Sequence, residues 1–183
     1  MKRFVKILKK WFPLGVAVTL LCGIVYVTIQ QTYRMEANDP QVQIAEDIRA
    51  TLEQGTKPEQ IVGQTKVDIG TSLDTFVDIY GADKNIVASS ATLNGTVTSI
   101  PTGVLDAATK KGETRVTWQP QKGVRIAAVV TKYKDGYVLV GRNLREVESR
   151  VSKHGFNILI GWAVTMAATF AAVAAVELIK WGE

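Results

Sequence analysis

The sequence predicts an α+β fold: a five-stranded antiparallel sheet with flanking helices, set between two transmembrane α-helices. Three observations predict it. Two long runs towards the ends of the 183-residue chain carry no charge. A basic tip stands directly before the first of them. Between the runs lie short segments rich in β-branched and aromatic residues, broken by turn formers. A chain of this length has room for one modest domain plus the two spans.

The first run is Phe12 to Ile29. At helical rise it covers about 27 Å, close to the hydrocarbon thickness of a bilayer. Pro13 is read as a first-turn residue, where no amide donor is needed. A cleaved secretory signal has a shorter apolar core followed by small residues, so an uncleaved anchor is expected. The second run, Phe156 to Val176, is also long enough to span. Of the 22 Lys and Arg residues, Lys2, Arg3, Lys6, Lys9 and Lys10 crowd the first ten positions. Such a bias holds the N-terminus in the cytoplasm, and two spans return the C-terminus to the same side. Trp11 and Trp181 then belong at the cytoplasmic interface and Tyr33 near the outer one. The expected organisation is a basic cytoplasmic segment (1–11), a first span (12–30), an extracytoplasmic domain (31–154), a second span (155–177) and a short cytoplasmic end (178–183). The expected location is the plasma membrane.

Gly15, Thr19 and Gly23 recur at spacing four in the first span, as do Ala163, Ala167, Ala171 and Ala175 in the second. Small residues four apart share a helix face and admit close backbone approach. These faces are predicted to pack on each other, on a membrane-protein partner, or on a second copy of the chain.

The basic balance belongs to the tip. From Gln31 to His154 the cations and anions nearly cancel, and no basic stripe interleaved with aromatics appears, which argues against nucleic-acid binding. Cys22, the single cysteine, lies inside the first run, so the central domain has neither disulfide nor thiolate metal site. No cofactor or metal is expected. His154 is the sole imidazole and lacks neighbours for base catalysis. No nucleophile elbow or glycine-rich phosphate loop is present, and Asp78, Asp83 and Asp135 are read as strand-exposed or turn residues. An enzyme is not expected.

Within the domain, Asp39 can cap a helix and Pro40 suits its first position; Val42, Ala45, Ile48 and Leu52 form its apolar face and Gly55 ends it. Thr56 and Glu59 have capping-box spacing for a short helix to Val62, and a helical turn is placed near Ser72 and Leu73. Strands are predicted at Phe76–Tyr80 and Asn85–Ser89 around a Gly81-Ala82-Asp83 turn. From Ser90 to Gly112 an irregular segment crosses over, with a helix near Val104 to Ala108. Strands follow at Thr114–Gln119, Val124–Tyr133 and Tyr137–Arg142, the last two joined at Asp135-Gly136, a tight-hairpin signal. Leu144, Val147 and Val151 mark a helix leading to the second span. Helices are expected on one face of the sheet.

Two segments carry a resemblance to a known family: Phe76-Val77-Asp78-Ile79-Tyr80-Gly81-Ala82-Asp83-Lys84-Asn85-Ile86-Val87-Ala88-Ser89-Ser90 as a first hairpin, and Gly136-Tyr137-Val138-Leu139-Val140-Gly141-Arg142-Asn143-Leu144-Arg145-Glu146-Val147 as a last strand entering an exit helix. With a span on each side, they resemble the extracytoplasmic PAS-like sensor modules called PDC or single Cache domains, over roughly Asp39 to Ser152. The family's D-x-x-G-like turn appears here as Asp83-Lys84-Asn85, with Asn assigned the left-handed position. The resemblance implies a small-molecule ligand between the sheet and the crossing segment, bounded by Tyr80, Trp118, Arg125 and the loop Thr92 to Leu105. It also implies signal relay through a membrane partner, because the short cytoplasmic ends hold no output domain. A non-sensing accessory subunit that stabilises another membrane protein is the alternative.

Overall fold

The computed structural model describes residues 2–180; Trp181, with the interfacial place expected for it, lies outside the described residues. The chain divides into two compact units, Arg34–Glu148 on the one hand and Met1–Tyr33 with Ser149–Glu183 on the other.

The Arg34–Glu148 unit opens on helix α2 (Asp39–Glu53), which follows helix α1 (Lys2–Glu36) in the chain. No side chain caps α2: Asn38 precedes it and Asp39 already lies in its first turn, where a carboxylate suits the positive end of the helix dipole. Ala45 and Leu52 are buried, with Val42 and Ile48 half-buried beside them. Gln41 shares this face and is fully buried, with neither amide atom partnered. An unpaired buried polar group costs about 1–3 kcal/mol, so Gln41→Met is expected to raise stability by roughly 1 kcal/mol. A denaturation midpoint that stays put or falls would refute this. Gly55 ends the helix at φ 92°, in the left-handed region that glycine tolerates. Helix α3 (Pro58–Val62) starts without the Thr56–Glu59 capping box; Lys57 stands at its cap position without a side-chain bond, and Pro58 presets its first turn.

Seven strands follow: β1 (Val67–Asp68), β2 (Phe76–Gly81), β3 (Ile86–Ser89), β4 (Ala91–Thr92), β5 (Glu113–Gln121), β6 (Val124–Tyr133) and β7 (Gly136–Asn143). Helix α4 (Thr102–Lys111) precedes β5, and helix α5 (Arg145–Ile179) follows β7 after a single residue. The predicted helical turn near Ser72 and Leu73 is instead a turn closed by the Thr71 and Ser72 amides on the Asp68 carbonyl. The five long strands form one antiparallel sheet in the order β3-β2-β7-β6-β5, while β1 and β4 make a small parallel pair. The last strand therefore lies at the sheet's centre, between the first hairpin and β6.

Helices cover both faces of this sheet, not one. On the first face α2 and α3 pack on Ile79, Val129, Val138 and Val140. On the second, Phe76, Tyr80, Ile126 and Leu139 meet Leu93, Ile100, Leu105 and Ala108 of the crossing segment and α4. Side chains alternate along a strand, so a strand buried on both sides must be apolar throughout. The runs Ile126–Val130 and Val138–Val140 satisfy that demand.

Both hairpins form, but by different means from those expected. In the first, Lys84 takes the left-handed conformation (φ 62°), not Asn85. Asp83 sets the turn by accepting from the Asn85 amide at 3.1 Å and from Asn85 Nδ2 at 2.7 Å. In the second, the turn residues are Lys134 and Asp135, and Gly136 is already paired with Tyr133. Gly136 has no positive φ; glycine is needed there because a Cβ would collide with the Tyr80 carbonyl of β2. Gly141, opposite Phe76, is covered by that ring in the same way.

In the helical unit, α1 runs from Lys2, so Pro13 sits in its interior and not in its first turn. Both α1 and α5 contain a stretch long and apolar enough to cross a membrane. They are joined by polar contacts spread along their length. Lys10 pairs with Glu177, and Lys6 lies 3.5 Å from the same carboxylate. Trp11 Nε1 donates to Thr169 Oγ1 and Trp162 Nε1 to Thr19 Oγ1, each at 3.0 Å. Tyr33 and His154 stack and share a 3.0 Å hydrogen bond.

Candidate functional site

Tyr80, Trp118 and Arg125 do not converge. Tyr80 is buried on the crossing-segment face, where its hydroxyl accepts the Ile100 amide at 3.1 Å and pins that segment to the sheet. Burial pushes its phenol well above the ordinary range. Trp118 packs half-buried against the same core, but on edge strand β5, three strand spacings from β2. That separation is about 14 Å. Arg125 alternates with Val124 and Ile126, which point into the crossing-segment core, so its side chain leaves from the opposite face. There its Nη1 pairs with Glu148 Oε1 at 2.5 Å, both side chains being more than two-fifths exposed. Between sheet and crossing segment, Leu93, Ile100, Leu105 and Ala108 fill the space.

The polar feature of this face is Asp78. Sequence reading placed it as strand-exposed or in a turn; it is fully buried. The signal was its parity with Phe76 and Tyr80 on β2, which puts all three on one side. Its Oδ1 accepts from Ser89 Oγ at 2.6 Å, while Oδ2 has no hydrogen-bond partner. The Ser89 hydroxyl also accepts the Ala91 amide at 3.0 Å, and Lys66 Nζ donates to the Ser89 carbonyl. Burial raises the Asp78 carboxyl from 3.8 to about 6, against the lowering pull of the Ser89 hydroxyl, the Ala91 amide and Lys66. The group thus ties β2 to β3 and to the start of β4, where the chain leaves the first hairpin to cross over. Among the described residues no three His, Cys, Asp or Glu side chains gather in a metal-binding arrangement.

The small-residue faces of the spans divide. Gly15 is buried against Met166, and Thr19 accepts from Trp162, so both meet α5. Gly23 has open space where a Cβ would stand. Ala163, Ala167, Ala171 and Ala175 are all exposed. The residues of α5 that meet α1 are larger: Trp162, Met166, Thr169, Phe170 and Glu177. Alanine spacing alone did not reveal this, since it marks a face without saying what the face opposes. Close approach comes from Gly15 and from Gly155, where an added Cβ would stand 3.0 Å from the Tyr26 ring.

No family model, curated protein or solved structure matches the chain.

Proposed function

We propose that this chain is a two-pass protein of the plasma membrane, with both termini cytoplasmic and a PAS-like domain outside, acting through a membrane-protein partner or a second copy of itself. The observation that carries the reading is the passage from β7 to α5. The central strand of the sheet runs after one residue into a helix that contains a span-length apolar stretch. On this reading, a change in the sheet is passed on through the continuous chain of β7 and α5. The basic tip supports the orientation, and the exposed alanine face of α5 supports a contact beyond the α1–α5 pair.

The packed interior favours a second reading, an accessory subunit without a small-molecule ligand. The place where such a ligand would lie holds Leu93, Ile100, Leu105 and Ala108, and Arg125 is paired with Glu148 on the other face. A photo-crosslinker at position 171 in the full chain, expressed in its own membrane, tests partner action. One dominant adduct, lost when the crosslinker stands at buried Gly15 instead, is expected. A chain that yields no adduct from the alanine face removes the relay and the accessory reading together. Thermal shifts of the full chain across metabolite sets then separate the two: a specific stabiliser supports sensing, and none supports the accessory role.

A further inference from the structure

Side chains fill the space between the sheet and the crossing segment, yet one polar group there is left unsatisfied. Asp78 is fully buried; its Oδ1 takes the Ser89 hydroxyl, and its Oδ2 has no hydrogen-bond partner. Ionised, such a group is costly to bury, whereas the protonated acid is neutral. A proton is the one ligand that needs no cavity. Two titratable groups face the carboxyl: Lys66, ahead of β1, and the Tyr80 phenol on its own strand. Around it β3 presents Ser89, β4 Ala91 and β7 Leu139, while Leu93, Ile100 and Leu105 of the crossing segment and α4 cover this face, and none of these titrates.

This junction is tied in turn to the start of α5. The Val67 and Ile69 amides donate to the Ser90 and Thr92 carbonyls, so β1 hangs on the chain that leaves Ser89. The loop after β1 is then gripped by its carbonyls. Asn143 Nδ2 donates to Ile69 at 2.7 Å, Arg142 Nε to Leu73 at 2.9 Å and Arg145 Nη2 to Thr71 at 2.9 Å. Asn143 Oδ1 also accepts the Arg145 amide at 2.8 Å, satisfying the first free donor of α5.

We propose that Asp78 is a proton-binding site through which external acidity sets this grip on α5. The protonated acid holds β2, β3 and the β1–β4 pair together; its ionisation loosens that pair and the loop that Arg142, Asn143 and Arg145 hold. The proposal rests on the reading given above, with this domain outside the membrane and acting through a partner.

Amide exchange of the full chain in lipid nanodiscs at a series of pH values, corrected for the intrinsic effect of pH, tests it. The carboxyl titrates at about 6 when buried and at 3.8 when solvated. Opening of residues 67–73 and of the first turn of α5 is therefore expected to rise about tenfold between pH 5 and pH 7.5, levelling off above pH 6. Asp78→Asn is expected to abolish the rise. Lys66→Gln removes a cation that favours the ionised form, so its profile is expected to level off at higher pH. Opening that ignores pH, an equal rise in Asp78→Asn, or an unmoved profile in Lys66→Gln overturns the proton site. A rise confined to β1 and β4 overturns the link to α5. Photo-crosslinking from position 171 at pH 5 and 7.5 is the parallel check, with a yield that depends on pH in the wild type but not in Asp78→Asn expected. No adduct at either pH removes the partner reading, whereas equal adducts at both leave that reading standing and remove acidity as its signal.

Discussion

Gly136→Ala is expected to destabilise the sheet domain by about 3–5 kcal/mol, a loss on the scale of a small domain's whole stability. The cause is backbone against side chain. A Cβ at this position points into the Tyr80 carbonyl of the neighbouring strand, and neither atom belongs to a flexible group that can swing aside. Relief requires the central strands β2 and β7 to separate at the register where Gly81 faces Gly136, the end pair of their ladder beside the β6–β7 turn. The matched control is Gly103→Ala, in the first turn of α4, where an added methyl meets nothing within 4 Å. That change is expected to be neutral or to stabilise by up to about 1 kcal/mol. Amide hydrogen exchange of β2 and β7 in the full chain reads both. Equal protection in the two variants would mean that the strands do not approach as closely as described.

The second large effect is one of pH. The Asp78 carboxyl is fully buried and titrates near 6 in the folded chain, against 3.8 as an ordinary aspartate. Between those values the folded state holds a proton that the unfolded state has released. Stability from this group is therefore complete below about pH 3.8 and is lost as pH rises through 6. The difference of roughly two pKa units corresponds to about 3 kcal/mol. Asp78→Asn keeps an acceptor for Ser89 and removes the titration. The wild-type chain should gain about 2.5 kcal/mol relative to this variant between pH 7 and pH 4, most of the full difference. Denaturation midpoints across that interval decide it, and parallel pH profiles for the two proteins would show that Asp78 is not desolvated.

The long elements were legible because their signals are local. The spacing of Val42, Ala45, Ile48 and Leu52 gave α2, and the β-branched runs gave the five sheet strands, because each pattern repeats several times within one element. The β1–β4 pair was not legible: two residues, Val67 and Asp68, meet Ala91 and Thr92 more than twenty positions on, too short a match for any period to register. Nor was the second covered face of the sheet foreseen. An apolar run such as Ile126–Val130 fits a strand under one layer or two, and only the path of the crossing segment decides. Asp78 was missed because its residue type argued for solvent while its place between Phe76 and Tyr80 argued for the core. Of the residues proposed to hold a ligand, Arg125 shows the limit most plainly. Its chemistry suits an anion, but strand parity turns it towards Glu148.

The two indole bonds of the helical unit have a mechanical consequence. Trp11 reaches from α1 to Thr169, and Trp162 reaches back from α5 to Thr19. The crossings stand about two turns apart, roughly 12 Å along the axes. Axial slippage of one rod past the other by a single residue would stretch both at once, and rotation of either about its own axis would swing its tryptophan away. Such a pair resists piston and screw displacements of one helix against the other and is left to move as one rigid ladder.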